Sequence, residues 1–487
     1  MNRRILSFDR VQPGRLLRVV LLSLVLCAFA FVAFAENAEQ EPVEQGVLFT
    51  NVMVFDGTSE QLRDVDVLVT GNKISQISDE PLVVTASENM MVIDGAGRTL
   101  MPGLIDAHVH LNMMLLESPQ GIVGANFATW EEIGALAARA GQEYLHSGFT
   151  TVRDLCGAST GLRKHVDKGT IDGPRIYLSG ACISQSSGHG DWRLEPEVVR
   201  QGAGDMSQVE RLGLTVLADG ADEVLKAARN NLAGGADFTK MMAGGGVTSD
   251  RDPITSIQGT MAELEAMVTA NEHFGTIGAV HAYMDESVER ALNAGIMSIE
   301  HGNLMKKPST FKLMKKKNAW VVPAIVGFSE QILEHPYFGN PANPAYAKVK
   351  TLIDNGPTWI KLANRHKVNI GFGTDVVVSS VLATRGARDF QMSQYAEAFG
   401  HFRLLKMMTS DNGRLMALTG EMNPYPGKLG VIEEGAYADI LLVDGNPIED
   451  ISLLGAAPKM FGKPRDTIHI ETIPFVMKDG KIYRNSL

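Results

Sequence analysis

The chain has 487 residues, of which 45% are hydrophobic and 21% are charged, and this composition excludes a fibrous or largely disordered protein. Its formal net charge of -11 becomes more negative without residues 1–35, which hold five arginines and one aspartate. Such an acidic chain is not expected to bind nucleic acid, because phosphate binding depends on clustered Lys and Arg. The lysine-rich stretch 306–318 is typical of the solvated face of a surface helix.

The N-terminus has the layout of an export signal. Five arginines precede an uncharged apolar run over residues 19–35 that ends in Ala-Phe-Ala. We predict that residues 1–35 are a signal peptide cleaved after Ala35, and that the protein is periplasmic or secreted with no stable membrane association. The run is near the lower length limit for a bilayer span, so a retained anchor is the alternative. Lipid attachment through Cys27 is disfavoured, because Leu26 stands where a small residue is usual.

Cleavage would leave only two cysteines, Cys156 and Cys182. Two cysteines are too few for the disulfide framework of a small exported domain. We interpret both as buried apolar residues, so the hydrophobic core has to provide the stability of the fold.

Short β-rich runs separated by turn residues occur near both ends of the chain, over 47–80 and again over 428–447 and 473–485. Neither end alone can build a two-sheet core. We therefore predict one small β-sandwich domain, formed by residues 36–100 together with residues 411–487.

The middle of the chain, residues 101–410, alternates apolar strand-like runs with helical stretches, which is the pattern of parallel β/α units. Its length and number of runs fit a (β/α)8 TIM barrel. An open doubly wound sheet is the alternative, but no glycine-rich dinucleotide fingerprint follows the first run. The eight runs begin at residues 103, 149, 175, 236, 276, 296, 319 and 369.

Reactive side chains lie in these runs or at their carboxyl ends, where barrel enzymes carry their active sites. In the first run, the spacing of "HVH" points both imidazoles to the same face of the strand. One histidine alone would be interpreted as a core residue, but imidazoles with a carboxylate form the ligand set of zinc and its first-row neighbours. The candidate side chains are His108, His110, Lys240, His281, His301 and Asp375.

Lys240 is the unexpected member of this set, because it lies inside the apolar run "ADFTKMM". Burial of a lone ammonium is costly, so something has to pair with this group or change its chemistry. A lysine that extends to the end of the strand is the alternative. Three glycines at 244–246 follow, and we expect them to let the backbone turn sharply beneath the site.

Several of these motifs resemble those of the amidohydrolase superfamily. They are "PGLIDAHVHL", "TTVRD", the strand lysine, "VHA", "IEHG" and "GTD", in this order and flanked by the split β-domain. The resemblance covers nearly the whole chain after the signal. "SGHGD", "KMMAGGG" and "HAYMDESVERALNAGIMSIEHG" are most similar to the branch of imidazolonepropionase-like and Xaa-Pro or Xaa-Arg/Lys dipeptidase enzymes, which includes carboxypeptidase-like amidases that hydrolyse ochratoxin.

The resemblance implies a binuclear site with two divalent metal ions, for which zinc is expected. It also implies that CO2 carbamylates Lys240, which would turn the buried cation into an anionic ligand. Asp375 is expected to carry the proton during catalysis, with His301 and Lys240 as further catalytic residues. The implied ligand assignment is His108, His110 and Asp375 on one metal, His281 and His301 on the other, and Lys240 bridging the two.

Dipeptidase-like members of this branch hold the free carboxylate of the leaving residue near the metals, and His189 and Tyr283 lie in the matching motifs. Arg153 and Arg251 are further candidates for substrate binding. Arg153 could instead pair internally with its neighbouring aspartate, and Arg251 could be a solvated loop charge. The apolar residues 111–124 would suit an apolar acyl group, or would pack on a neighbour or another subunit.

The predicted activity is hydrolysis of a small-molecule amide or dipeptide, which releases a C-terminal amino acid from an apolar acyl or aminoacyl group. Hydrolysis of ochratoxin A to ochratoxin alpha and phenylalanine is one expected example. Opening of a cyclic amide, of imidazolonepropionase type, is the alternative enzyme activity. A catalytically inactive secreted binding protein is the alternative from another class. Because similar proteins form large homo-oligomers, a homo-oligomer is also expected.

Overall fold

The computed structural model of the chain describes residues 46–84, 89–118, 121–199, 206–377, 379–462 and 465–487. The predicted signal peptide lies outside the described residues. Within these ranges, every helix is too short or too polar to cross a bilayer.

Strands occur along the whole described part of the chain. They are β1 (Gly46–Thr50), β2 (Met53–Val54), β3 (Arg63–Asp64), β4 (Asp66–Thr70), β5 (Lys73–Ser78), β6 (Met90–Asp94), β7 (Thr99–Pro102), β8 (Leu104–Val109), β9 (Phe149–Asp154), β10 (Arg175–Leu178), β11 (Cys182–Ser184), β12 (Thr215–Leu217), β13 (Thr239–Met242), β14 (Gly278–Ala282), β15 (Ser298–His301), β16 (Trp320–Val322), β17 (Asn369–Ile370), β18 (Ile440–Val443), β19 (Phe475–Lys478) and β20 (Lys481–Asn485).

Helices connect the strands of the central region. The α-helices span Trp130–His146, Thr160–Asp167, Glu195–Val199, Gln208–Arg211, Ala221–Ala233, Met261–His273, Asp285–Ala294, Pro308–Lys316, Pro344–His366, Val381–Phe399, His401–Lys406 and Asn412–Ala417. Shorter 3-10 helices span Gly121–Phe127, Ile325–Phe328, Glu330–Glu334, Gly420–Met422 and Ile451–Leu454, and a π-helix spans Met407–Asp411.

Strands from both ends of the chain share one six-stranded sheet, in the order β20-β19-β18-β7-β2-β3. Within it β18 pairs antiparallel with β7, and Ile440 lies opposite Pro102. A four-stranded sheet, β5-β4-β1-β6, shares its apolar core with the first sheet. The rings of Phe49 and Phe475 meet edge to face in this core, with their centroids 5.4 Å apart. The two ends of the chain therefore build one β-sandwich.

All eight predicted runs of the central region form strands, and these strands are parallel. β8, β9 and β10 form one sheet, while β11 to β17 form another. Backbone hydrogen bonds join the sheets at both edges, from Ala107 N to Phe372 O at 2.9 Å and from Asp237 N to Leu178 O at 2.8 Å. Parallel strands of this kind are covered on both faces of the sheet, so their sequences are continuous apolar runs.

Local capping signals set the ends of the helices that position β14 and β15. Met261–His273 begins after Thr260, and Glu263 completes a capping box with it: Thr260 N donates to the Glu263 carboxylate at 2.6 Å. Asp285–Ala294 ends at Gly295, whose φ of 110° lies in the left-handed region. Both helices lie between consecutive predicted strand runs, as the alternating pattern of the central region predicts.

Cys156 and Cys182 are buried as predicted, but they are bonded to each other and not separate side chains. Cys156 follows β9 and Cys182 begins β11, a strand of the other parallel sheet, and their Cα atoms are 4.7 Å apart. The two residues are 26 positions apart, so only the packing of these strands makes them partners. The disulfide lies in an apolar cluster with Met113 and Trp192.

We expect reduction of this disulfide to lower the free energy of unfolding by about 3 kcal/mol, because it releases a cross-link that restricts the unfolded chain. Denaturant unfolding, followed by circular dichroism with and without reductant, measures the change. The double variant Cys156→Ala/Cys182→Ala is the control, since its transition is expected not to respond to reductant. Wild-type curves that coincide in both conditions would contradict the cross-link.

Candidate metal centre

A single cavity of about 580 Å³ brings the six predicted ligand residues together at the carboxyl ends of the barrel strands. β8 and the residue that follows it supply His108 and His110, β14 supplies His281 and β15 supplies His301. Each of these strands belongs to the parallel barrel, so their carboxyl ends meet at one mouth. The remaining two members, Lys240 on β13 and Asp375 after β17, line the same cavity.

Three of these residues form a compact donor group. His110 Nε2 lies 3.0 Å from Asp375 Oδ1, and His108 Nε2 lies 3.2 Å from the same oxygen. One donor atom from each residue lies within 4.8 Å of the others. Two imidazole nitrogens and a carboxylate oxygen this close to one another suit a divalent transition metal better than a hydrogen-bond network, because three acceptor-type atoms converge on one point.

His281 and His301 are the second half of the predicted ligand set. Their ring centroids are 4.5 Å apart, and His301 Nδ1 lies 3.8 Å from Asp375 Oδ2. Burial lowers the pKa of both imidazoles well below the usual histidine value, so both are neutral and carry a free lone pair. His281 Nε2 donates to the carbonyl of Gly245 at 3.0 Å, which leaves Nδ1 as the nitrogen that can bind a cation.

Two of the ligand residues have unusual backbone conformations. His301 has a φ of 74° and Asp375 a φ of 50°, which is the left-handed region that few non-glycine residues adopt. Such a conformation costs about 1 kcal/mol or more and persists where the surrounding structure imposes it. His301 is the last residue of β15 and Asp375 lies in the segment that follows β17, and both side chains line the cavity at the mouth of the barrel.

Lys240 is 1% exposed and lies among the proposed metal ligands. In the described part of the chain, no carboxylate lies within ion-pairing distance of its ammonium. Burial lowers the pKa of Lys240 to about 8, although the charges of Glu300 and Asp375 oppose this change. The group is therefore a buried amine that loses its proton more readily than an exposed lysine and lacks a direct partner, which fits a lysine whose charge is altered by modification.

Glu300 was not identified from the sequence, although it lies directly beneath the donor group. Its Oε2 is 3.0 Å from His108 Nδ1, and its Oε1 accepts from Arg153 Nη2 at 2.7 Å. Burial alone would raise the pKa of Glu300. The positive charge of Arg153, together with His108 and Lys240, outweighs this effect and lowers the pKa below the usual value, so the carboxylate stays ionised. The signal in the sequence was the same as for Lys240: a charged residue inside an apolar strand run.

Arg153 does not line the cavity, so the structure does not support a contact between this residue and substrate. Its Nε donates to Ala107 O at 2.6 Å and its Nη1 to Ser298 Oγ at 3.0 Å, in addition to the pair with Glu300. The sequence suggested an internal pair with the adjacent aspartate; the partner is instead Glu300, which lies on β15 across the barrel.

The other three candidates for substrate binding separate into two groups. His189 and Tyr283 line the cavity, where the His189 ring stacks on His281 at 4.1 Å and the Tyr283 ring lies 5.1 Å from that of His301. Burial lowers the pKa of His189 to about 4. Arg251 does not line the cavity: its side chain is 32% exposed, and its Nη1 is 3.8 Å from Asp191 Oδ1.

Away from the ligand set, the wall of the cavity is apolar and aromatic. Met113 and Ile122, from the apolar segment after β8, contribute to it. Tyr337 and Phe338 come from the segment after β16, and Phe461 comes from the C-terminal part of the chain. A wall of this composition favours an apolar group next to the polar centre.

The glycines at 244–246 do not have the role predicted from the sequence. None of the three has a positive φ, so they do not make a sharp turn that other residues could not make. They are needed for close approach: a Cβ at Gly245 would lie 1.9 Å from the carbonyl oxygen of Pro253, and one at Gly246 would lie 1.9 Å from His189 Cε1.

The sequence matches the Amidohydrolase family over residues 99–483. Ochratoxinase of Aspergillus niger is 28% identical to this chain over 440 residues, which cover 89% of this chain and 85% of that protein.

Solved structures give the same result. The crystal structure of an amidohydrolase matches 91% of this chain and 100% of its own chain, with a TM-score of 0.78 and 32% identity. A prolidase complexed with N-methylphosphonate-L-proline matches the same shares, with a TM-score of 0.78 and 29% identity. These matches confirm the predicted fold class, a TIM barrel with a second domain.

The pair of Arg153 and Glu300 is expected to be strongly coupled, because removal of either partner leaves the other charge buried and unpaired. Arg153→Met and Glu300→Gln are each expected to cost on the order of 3 kcal/mol of stability, and the double variant much less than their sum. Denaturant unfolding of chelator-treated protein measures this without a contribution from metal. Additive losses would mean that the two side chains do not depend on each other.

Proposed function

Because the chain belongs to the amidohydrolase family and is a hydrolase of amide or peptide bonds, we propose that it is a metal-dependent amidase of carboxypeptidase-like or dipeptidase-like specificity. It releases a C-terminal amino acid from an apolar N-acyl amino acid or a dipeptide. The observation that carries this proposal is the convergence of the strand-end imidazoles, the Asp375 carboxylate and the Lys240 amine on one cavity.

The donor set is proposed to hold two divalent cations. Zinc is the first choice, since imidazole and carboxylate are its usual ligands in catalytic sites. A bound pair of such ions polarises a carbonyl group and lowers the pKa of water. The proposed assignment places His108, His110 and Asp375 on one cation, and His281 and His301 on the other.

Lys240 is proposed to bridge the two cations as a carbamate. The amine first loses the proton of its ammonium form; the neutral nitrogen then adds to the carbon of CO2 and releases a second proton, which leaves an anion with two oxygen donors. A pKa of about 8 supports this step, because the neutral amine is then far more abundant at neutral pH than in an ordinary lysine. The modification also removes the unpaired positive charge from the floor of the cavity.

Asp375 is proposed as the proton carrier. Its two oxygens face different halves of the ligand set, since Oδ1 lies 3.0 Å from His110 Nε2 and Oδ2 lies 3.8 Å from His301 Nδ1. From this position the carboxylate accepts the proton of the attacking water and passes it to the leaving nitrogen.

The substrate class is supported by the relatives and by the shape of the cavity. One relative is an ochratoxinase, and one structural neighbour is a prolidase with a phosphonate derivative of proline. The apolar wall fits the acyl group of such a substrate, and ochratoxin A is one proposed example, with ochratoxin alpha and phenylalanine as products. His189 and Tyr283, which adjoin His281 and His301, are proposed to contact the amino acid. Export and homo-oligomeric assembly remain predictions from the sequence.

A panel of N-acyl amino acids and dipeptides, varied at the C-terminal residue and assayed with and without chelator, tests this function. Chelator is expected to abolish turnover. Asp375→Asn is expected to keep the fold and to lower kcat by a factor on the order of 100 or more, because the proton carrier is lost. Hydrolysis that ignores the C-terminal residue and its carboxylate would contradict the substrate class. A fully active Asp375→Asn variant would contradict the proton transfer.

Lys240→Ala is expected to lose bound metal and activity together, because the bridging carbamate is lost. Short carboxylic acids are expected to restore part of both, since they can occupy the place of the carbamate oxygens. Metal analysis and turnover are measured in parallel, with Lys312→Ala, a change of an exposed lysine, as the matched control. A Lys240→Ala variant with full metal content and normal turnover would rule out the bridge.

A further inference from the structure

The His189 ring is held in a narrow slot beside the proposed metal ligands. It stacks on His281 with an interplanar angle of 27°, and the backbone of Gly246 is so close that a Cβ there would lie 1.9 Å from His189 Cε1. The ring is 7% exposed. Its position is therefore fixed by contacts, and only a glycine at 246 leaves room for it.

His189 makes two hydrogen bonds to residues 245–258. This segment follows β13 and is called the β13 loop below. Its backbone N donates to Gln258 Oε1 at 2.9 Å, and its Nδ1 lies 2.7 Å from Ser249 Oγ. Ser249 Oγ donates its own hydrogen to Asp252 Oδ1. Because a hydroxyl has one hydrogen to donate, Ser249 has to accept the hydrogen of His189 Nδ1.

Asp252 is the last residue in this series of hydrogen bonds, and two further hydrogen bonds fix its own carboxylate. Its Oδ2 accepts from Gly246 N and from Gln258 Nε2, both at 3.0 Å. It is 3% exposed. Asp252 therefore ties together the glycine that packs on the His189 ring, the glutamine that binds the His189 backbone and the serine that binds His189 Nδ1.

A buried lysine on the helix Pro344–His366 holds the β13 loop in place by hydrogen bonds. Lys348 Nζ donates to three backbone carbonyls of the loop, those of Gly246 at 2.8 Å, Ser249 at 2.5 Å and Asp252 at 2.8 Å. All three ammonium hydrogens are thus used inside the loop, and Lys348 does not line the cavity. The loop carries the partners of His189, so Lys348 acts on His189 only through the loop.

We propose that Ser249, Asp252 and Lys348 are positioning residues that keep the hydrogen of His189 on Nδ1 and leave Nε2 as the nitrogen offered to the substrate. His189 Nε2 makes no hydrogen bond within the described ranges, which is consistent with a free position on the cavity side. The inference rests on the proposed function in one respect, namely that His189 contacts the substrate. The arrangement of the hydrogen on the ring does not depend on the reaction.

Ser249→Ala removes the acceptor for His189 Nδ1, and Ser249→Thr keeps a hydroxyl in its place. We expect Ser249→Ala to raise KM about tenfold with kcat and metal content close to wild type, because a contact made equally in ground and transition states is disturbed. Ser249→Thr is expected to restore most of the loss. A structural role alone would lower the metal content or kcat as well.

Gly246→Ala and Gly244→Ala form a matched pair. A Cβ at Gly244 first meets Ser287 Oγ, at 3.3 Å, whereas one at Gly246 would overlap the His189 ring. We expect Gly246→Ala to raise KM as much as His189→Asn does, and Gly244→Ala to stay within about twofold of wild type. Equal effects of the two alanine substitutions would contradict the claim that Gly246 is needed to make room for the His189 ring.

A measurement without substrate decides the position of the hydrogen. In protein labelled with ¹⁵N-histidine, long-range ¹H–¹⁵N correlations separate imidazoles protonated on Nδ1 from those protonated on Nε2, and the signals lost in His189→Asn identify this one among the 12 histidines. We expect the Nδ1 form in wild type and Ser249→Thr, and a mixture in Ser249→Ala. The Nε2 form in wild type, or no change in Ser249→Ala, would overturn the proposal. If no N-acyl amino acid is hydrolysed, the proposed function fails but this measurement still decides the position of the hydrogen.

Discussion

The rest of the site depends on one constraint, the burial of a lysine amine where no carboxylate of the described residues is close enough to pair with it. Lys240 is almost completely buried. The neighbouring imidazoles His281 and His301 are neutral and carry no negative charge that could balance the ammonium. The nearest ionised carboxylates are already occupied, Glu300 by Arg153 and Asp375 by His108 and His110. A cation in this position would cost several kcal/mol. The proposed conversion of the amine to an anion, held between two metal ions, would remove this cost and complete the proposed ligand set.

The fold, and the residues that meet in the cavity, could be predicted from the sequence because their signals are local. Each barrel strand is a short apolar run between helical stretches, and each proposed ligand lies in such a run or just after it, as in "HVH" or "GTD". In a parallel barrel all the carboxyl ends meet at one mouth, so the order of the runs was enough to bring His108, His281, His301 and Asp375 together. The terminal β-sandwich was predictable for a related reason, since neither half could form a core alone.

What could not be predicted depends on which distant residues become neighbours. The bond between Cys156 and Cys182 requires β9 and β11, which belong to different sheets, to come close together. The partner of Arg153 lies on β15 and not beside it in the sequence. The glycines at 244–246 were expected to make a turn, but the ring of His189, from another part of the chain, decides why position 246 is glycine. Lys348 was not identified from the sequence, although it holds the β13 loop on which the position of His189 depends. The sequence gives the charge, size and hydrogen-bonding capacity of the side chain at each of these positions. It does not give the residue that each side chain contacts in the folded protein.

The central claim is that Lys240 carries a carbamate in the metal-loaded protein. The most direct measurement is ¹³C NMR of protein prepared with zinc and ¹³C-labelled bicarbonate, compared with Lys240→Ala prepared in the same way. The account predicts a carbamate carbon signal in the wild-type protein that disappears when chelator removes the metal and is absent from the variant. A fully metal-loaded wild-type protein without this signal, or the same signal in Lys240→Ala, would contradict it.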